Sequence, residues 1–137
     1  MQRLRLVTDP ITPDGPEVTA LEAQAMQRAV INLFDRWQLT DDQAATLLGG
    51  IVTRTYSRWK AGEMGRATVD QSARLSNLMG IHKALRLLFK DPERGYGWIK
   101  RPNAAFGGAS ALDVMLGGQL TDLMRVRRYL DAARGEW

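Results

Sequence analysis

Apolar residues recur along the chain at the spacing of buried helix faces. Val18, Leu21, Ala25, Met26, Ala29, Val30, Leu33, Phe34 and Trp37 fall mostly three and four positions apart, as one side of a helix turned to a core requires. A first helix is expected to end near Gln38, and Pro16 suits its opening turn because an N–H there would have no partner. Thr40 followed by Gln43 makes a capping-box pattern, which predicts a short helix over 41–48 with Ala44, Leu47 and Leu48 inward. Gly49 and Gly50 stop it, and Gly49 suits a left-handed cap. A third short helix is expected over 53–61, closed by Gly62. A longer one follows. Leu75, Leu78, Ile81, Leu85 and Leu88 form its main stripe, while Met79, Leu87 and Phe89 add apolar mass on other sides. A helix apolar on several sides is expected to lie between two lobes. Beyond Pro92 the pattern predicts a short helix near Trp98, another over 110–116 capped by Ser110 with Asp113, and a last one over 120–134. No segment alternates as a strand does between turn signals. The expected fold class is all-α.

Composition narrows the function. The 137 residues suit one domain or two small lobes sharing a core. There is no cysteine, so disulfides and thiolate metal sites are excluded, and a reducing cytosol is compatible. No apolar run approaches the ~18 residues that span a bilayer, and "MQRLRLVTDP" lacks a secretory apolar core. A cytoplasmic protein without membrane contact is expected. Residues 1–16, with Pro10, Pro13 and Pro16, read as an extended arm. Residues 17–66 hold the short helices, 67–90 the long connecting helix, and 91–137 a C-terminal unit.

The net charge of +4 permits nucleic-acid binding without demonstrating it. Its placement says more. Arg54, Arg58, Lys60 and Arg66 face a single acid, Glu63, and Arg125, Arg127 and Arg128 cluster later. Two short helices joined through glycine are the core of a helix-turn-helix. Ala45, four residues before Gly49, lets them approach closely. On the third helix Thr55, Tyr56 and Trp59 share the inward side. Thr53, Arg54, Ser57 and Arg58 share the other, where hydrogen-bonding and cationic groups reach base edges. Lys60 and Arg66 are placed to hold phosphates. The plainer alternative is a helical corner with a solvated basic face.

Enzymatic signatures are absent. The lone His82 lies among Met79 and Leu85 and reads as a core-edge residue, neither a metal ligand nor part of a nucleophilic triad. "GYG" and "FGG" do not make a phosphate loop. Asp41 and Asp42 read as first-turn acids favoured by the helix dipole. No catalytic residue, metal or cofactor is expected.

"LTDDQAATLLGGIVTRTYSRWKAGE" followed by "WIKRPNAAFGGASALDVMLGGQLTDLMRVRRYLDAARG" resembles the Xre/MbcA/ParS antitoxins from about Val18 to the end. The more specific signature combines Trp98, Pro102–Asn103, Gly108, Leu112–Asp113, Gly117–Gly118 and Tyr129–Leu130 with Gly135. Ala111 replaces a proline often found before "LD". Val52 replaces a serine common before the recognition helix, so Thr53 is an alternative cap that would shift the DNA-facing register by one. The resemblance implies a helix-turn-helix half and a C-terminal toxin-binding domain over 91–137. It implies a RES-domain toxin that depletes NAD as partner, operator DNA as a second partner, and autoregulation of the operon. The toxin-blocking segment would be Arg134, Gly135, Glu136 and Trp137; apart from the resemblance, those residues read as a frayed terminus. Homodimers are expected, because half-sites on DNA are read by symmetric pairs. The alternative function is a stand-alone transcriptional regulator whose C-terminal half only dimerises.

Overall fold

The computed structural model describes residues 19–135. The elements are α1 (Ala20–Arg36), α2 (Asp41–Leu47), α3 (Thr53–Lys60), α4 (Val69–Leu88), α5 (Pro92–Trp98), a 3-10 turn (Ala104–Phe106), α6 (Ala111–Met115) and α7 (Leu120–Ala133). The described residues contain no named strand; their one β-bridge pairs Pro102 with Ser110. No described helix is long and apolar enough to cross a membrane.

Local chemistry starts these helices. Thr19, Thr40, Thr68 and Ser110 each cap one, accepting from the backbone N–H three residues on, while Glu22, Gln43, Gln71 and Asp113 accept the cap's own N–H. Each reciprocal pair satisfies two donors that the helix itself leaves orphaned. The expected caps at Thr40 and Ser110 are thus present. The start of α1 differs from expectation. Thr19 is its extended N-cap, so the first turn begins at Ala20; Pro16 lies outside the described residues, as do Val18 and the arm over 1–16.

The buried face of α1 runs through Ala23, Gln27, Val30, Phe34 and Trp37. Leu21 sits about 200° around the helix from Ala23 and is 79% exposed, correcting its assignment to the stripe. The end of α1 matches expectation: Trp37 is the C-cap, Gln38 turns left-handed (φ 57°), and Leu39 N–H returns to the Phe34 carbonyl at 3.1 Å.

The long helix α4 lies against α1 on one side and α7 on another. Leu75, Leu78, Ile81, Ala84 and Leu85 are buried in a single cluster joining Phe34, Trp37 and Leu47 to Ile99, Met115, Leu123 and Leu130. The two halves therefore share a core. Leu87 and Leu88 depart from expectation: they are 61% and 37% exposed.

Two contacts set the direction of α7. Gly118, just before it, approaches the Thr46 methyl, next to Leu47, whose carbonyl is held by Arg74 in the second turn of α4. Farther on, Arg127 lies directly over Gly80. The two helices thus run parallel and finish at the same end of the molecule.

Candidate DNA-reading and toxin-binding surfaces

The first surface is the outward side of α3. Tyr56 and Trp59 are buried, with the Tyr56 ring 6.3 Å from that of Phe34, and this anchors the helix against α1. Burial, with Asp41 and Asp35 adding, pushes the Tyr56 phenol up to about 12. Thr53, Arg54, Ser57 and Arg58 are all exposed on the opposite side, so the expected division of faces is present. The N-cap is Val52, which offers no side-chain cap. Thr53 is therefore the first helical residue, and the helix start is not shifted by one. Lys60 is exposed yet engaged. Its Nζ donates to Asp41 Oδ1 at 2.8 Å and lies 5.4 Å from the Tyr56 ring centre. The pair ties the end of α3 to the start of α2, giving Asp41 a specific partner beyond the helix dipole.

The corner preceding α3 is held by an ion pair with one buried member. Gly49 and Gly50 both turn left-handed (φ 98° and 80°). Against Gly49 lie Asp70 and Arg74 of α4: a β-carbon there would meet Asp70 Oδ2 at 2.9 Å and Arg74 Nε at 3.1 Å. Arg74, only 6% exposed, donates to Asp70 at 2.8 Å and to the Leu47 carbonyl at 3.4 Å. It satisfies the open end of α2 and fastens it to α4. Sequence reading missed this role, although Asp70 and Arg74 stand at i,i+4 pairing distance. It also missed Gln27, which is fully buried with its amide bonded to the Gly65 carbonyl at 3.3 Å.

The second surface belongs to the C-terminal unit, where the signature residues mainly build the frame. Trp98 stacks on Tyr129 with ring centres 6.0 Å apart, and Phe106 tilts against the same ring at 5.2 Å. Asn103 closes the intervening loop: its N–H donates to the Ala109 carbonyl at 3.0 Å and its side chain accepts from Ala105 N–H at 2.9 Å. Gly117 leaves room for the Asp122 carboxylate, which accepts from Gln119 N–H at 3.0 Å at the start of α7. His82 stacks on Tyr96 at 6.2 Å, in keeping with its core-edge reading. Burial, and then Arg86, lower its pKa.

Chain comparisons decide what this arrangement is. Residues 16–80 match the antitoxin Xre-like helix-turn-helix domain, and residues 84–135 match the antitoxin Xre/MbcA/ParS C-terminal toxin-binding domain.

The chain belongs to the Xre/MbcA/ParS antitoxin family.

It is also similar to the uncharacterized protein y4oB of Sinorhizobium fredii (strain NBRC 101917 / NGR234), at 43% identity over 129 residues, covering 94% of this chain and 99% of that protein. Neither matching antitoxin domain is an enzymatic one. The expected blocking segment of this antitoxin divides at the end of α7. Arg134 is the helical C-cap, and its side chain reaches the Asp131 carboxylate at 3.4 Å. The same carboxylate faces Arg127 at 3.8 Å. Arg134 therefore belongs to the framework, unlike the frayed terminus that those residues suggest apart from the resemblance. Gly135 turns left-handed (φ 81°), and Glu136 and Trp137 lie outside the described residues.

Proposed function

We propose that this antitoxin neutralises a RES-domain, NAD-degrading toxin by steric occlusion and represses its own operon as a dimer. The observation that carries the reading is the toxin-binding match over 84–135, which runs to the residue where the final helix hands over to the tail. Glu136 and Trp137 would enter the mouth of the toxin's substrate pocket, the indole as an apolar plug and the carboxylate as a polar anchor. Arg134 and Gly135 would aim them: the arginine through its place in the helix cap, the glycine by redirecting the backbone. On the DNA side, Thr53, Arg54, Ser57 and Arg58 would face the major groove, with an arginine taking guanine bidentately. Lys60 would reach a phosphate by sharing its charge with Asp41. Cytoplasmic residence follows from this role.

The test is a growth and NAD assay on the adjacent reading frame, induced alone, with the full chain, and with a chain ending at Gly135. The cut leaves the Arg134 cap intact. Rescue by the full chain but not by the shortened one is expected. A harmless neighbour returns the protein to a stand-alone regulator; rescue without Glu136 and Trp137 refutes occlusion by the tail. In parallel, Arg54→Ala or Arg58→Ala should weaken operator binding by roughly 1–3 kcal/mol for a base contact, or lower the salt slope by about one for a phosphate contact. Toxin binding should stay unchanged. Unaltered operator affinity in both variants means the recognition face lies elsewhere.

A further inference from the structure

Most of the large apolar side chains within residues 84–135 are covered or partly covered. Leu87 and Leu88, at the end of α4, are not. The other exposed member, Tyr129, is 36% exposed but already engaged with Trp98 and Phe106. Leu87 thus presents the largest uncommitted apolar surface among the described residues of the toxin-binding domain.

Its position ties it to the tail. Arg127 lies over Gly80, and α4 and α7 run parallel. Seven residues on from each partner stand Leu87 and Arg134. Two helical turns return each to the same face and advance both by about 10 Å. Leu87 and the exit of the C-terminal tail therefore come to the same end of the bundle. The rim is mainly cationic: Lys83, Arg86 and Lys90 are exposed there, with the exposed acids Asp91 and Glu93 following Lys90. The whole domain carries nine arginines and lysines against five acids over 84–135.

We infer that Leu87 and Leu88, with Lys83, Arg86 and Lys90 around them, form a docking surface for the toxin, distinct from the inserting tail. The inference rests on the antitoxin reading above. The partner's matching surface is an apolar depression rimmed by Asp and Glu, on the ground beside its substrate entrance. An apolar anchor inside a charged rim is the usual anatomy of a hot spot. The rim steers association, and the leucines supply residence time. Two attachments at one end of the molecule explain how the inserting plug is held in register: the tail's local concentration at the pocket is raised by the docked leucines.

The experiment is calorimetric titration of the purified RES-domain protein of the adjacent frame with the full antitoxin and its variants. Leu87→Ser should raise Kd at least tenfold, as loss of a hot-spot side chain does, and Lys90→Glu should slow association in a salt-dependent way. Leu21→Ser, at a still more exposed leucine in the helix-turn-helix half, should change neither. All three should keep the parental Tm and operator affinity. The chain ending at Gly135 should still bind, more weakly, while failing to protect NAD. Unchanged toxin affinity in both Leu87→Ser and Lys90→Glu, with binding abolished by the tail cut, overturns the docking surface and leaves the antitoxin reading standing. Loss of self-association by Leu87→Ser at constant toxin affinity also overturns it, assigning the patch to a second copy. A full chain that does not bind the RES-domain protein refutes the antitoxin reading, and the docking surface with it.

Discussion

Replacing Arg74 by methionine tests whether the corner before the recognition helix is held from α4. Methionine keeps most of the stem's volume, so little cavity is created, but it removes every donor. Two interactions are lost. The bond to Asp70 is short, at 2.8 Å, but the Asp70 side chain is 54% exposed, and pairs with a solvated partner contribute about 0–1 kcal/mol. The bond to the Leu47 carbonyl is charge-assisted, a class worth about 1.5–3 kcal/mol; at 3.4 Å it belongs at the lower end. The sum is about 2 kcal/mol. A chain of this size loses about 3–4 °C of Tm per kcal/mol, so Arg74→Met should melt roughly 6–8 °C below the parent in a circular-dichroism scan. Asp70→Asn in the same scan should show a smaller loss, because Arg74 keeps its Leu47 partner and an amide oxygen still accepts. The double variant should fall short of the sum of the two, since both substitutions break one shared bond. A melting point within about 2 °C of the parent for Arg74→Met would mean that the cap carries no stability.

The paired glycines give an internal comparison. Gly50→Ala meets open space, so only its left-handed backbone is penalised, at about 1–2 kcal/mol; Gly49→Ala adds a collision with Asp70 and Arg74 and should be clearly worse, and equal unfolding free energies for the two refute that packing. His82 gives a pH dependence. Its folded pKa is lowered by burial and by Arg86, while in the unfolded chain it titrates near 6.5. Below that value the unfolded chain takes up a proton sooner than the folded one, so the neutral imidazole's stability is present above about pH 6.5, declines as pH falls, and levels off below the folded pKa. Urea unfolding at pH 8 and pH 5 should show the decline, and His82→Gln should reduce it; an identical slope in the variant refutes the assignment.

Much of this protein is legible in one dimension because its helices are specified locally. Thr40 with Gln43 and Ser110 with Asp113 carry their cap chemistry within four residues, and the left-handed turn at Gly49 falls where the sequence places a glycine. The inward pair Tyr56 and Trp59 and the outward set Thr53, Arg54, Ser57 and Arg58 follow from helical periodicity alone. So did the all-α class and the family, whose markers lie at caps, turns and the Trp98–Tyr129 stack. Tertiary structure decided which apolar residues are covered and which charges are engaged. Leu87 is as hydrophobic as its buried neighbours, and only the packing of the other helices leaves it in water. Lys60 and Arg58 are both cations on α3, yet Asp41, nineteen residues from Lys60, claims only Lys60. Arg74 looks like any surface arginine until α2 is laid across it. Periodicity reports the direction a side chain leaves its own helix. What it meets there depends on the lengths and crossings of the other helices, which no local pattern encodes.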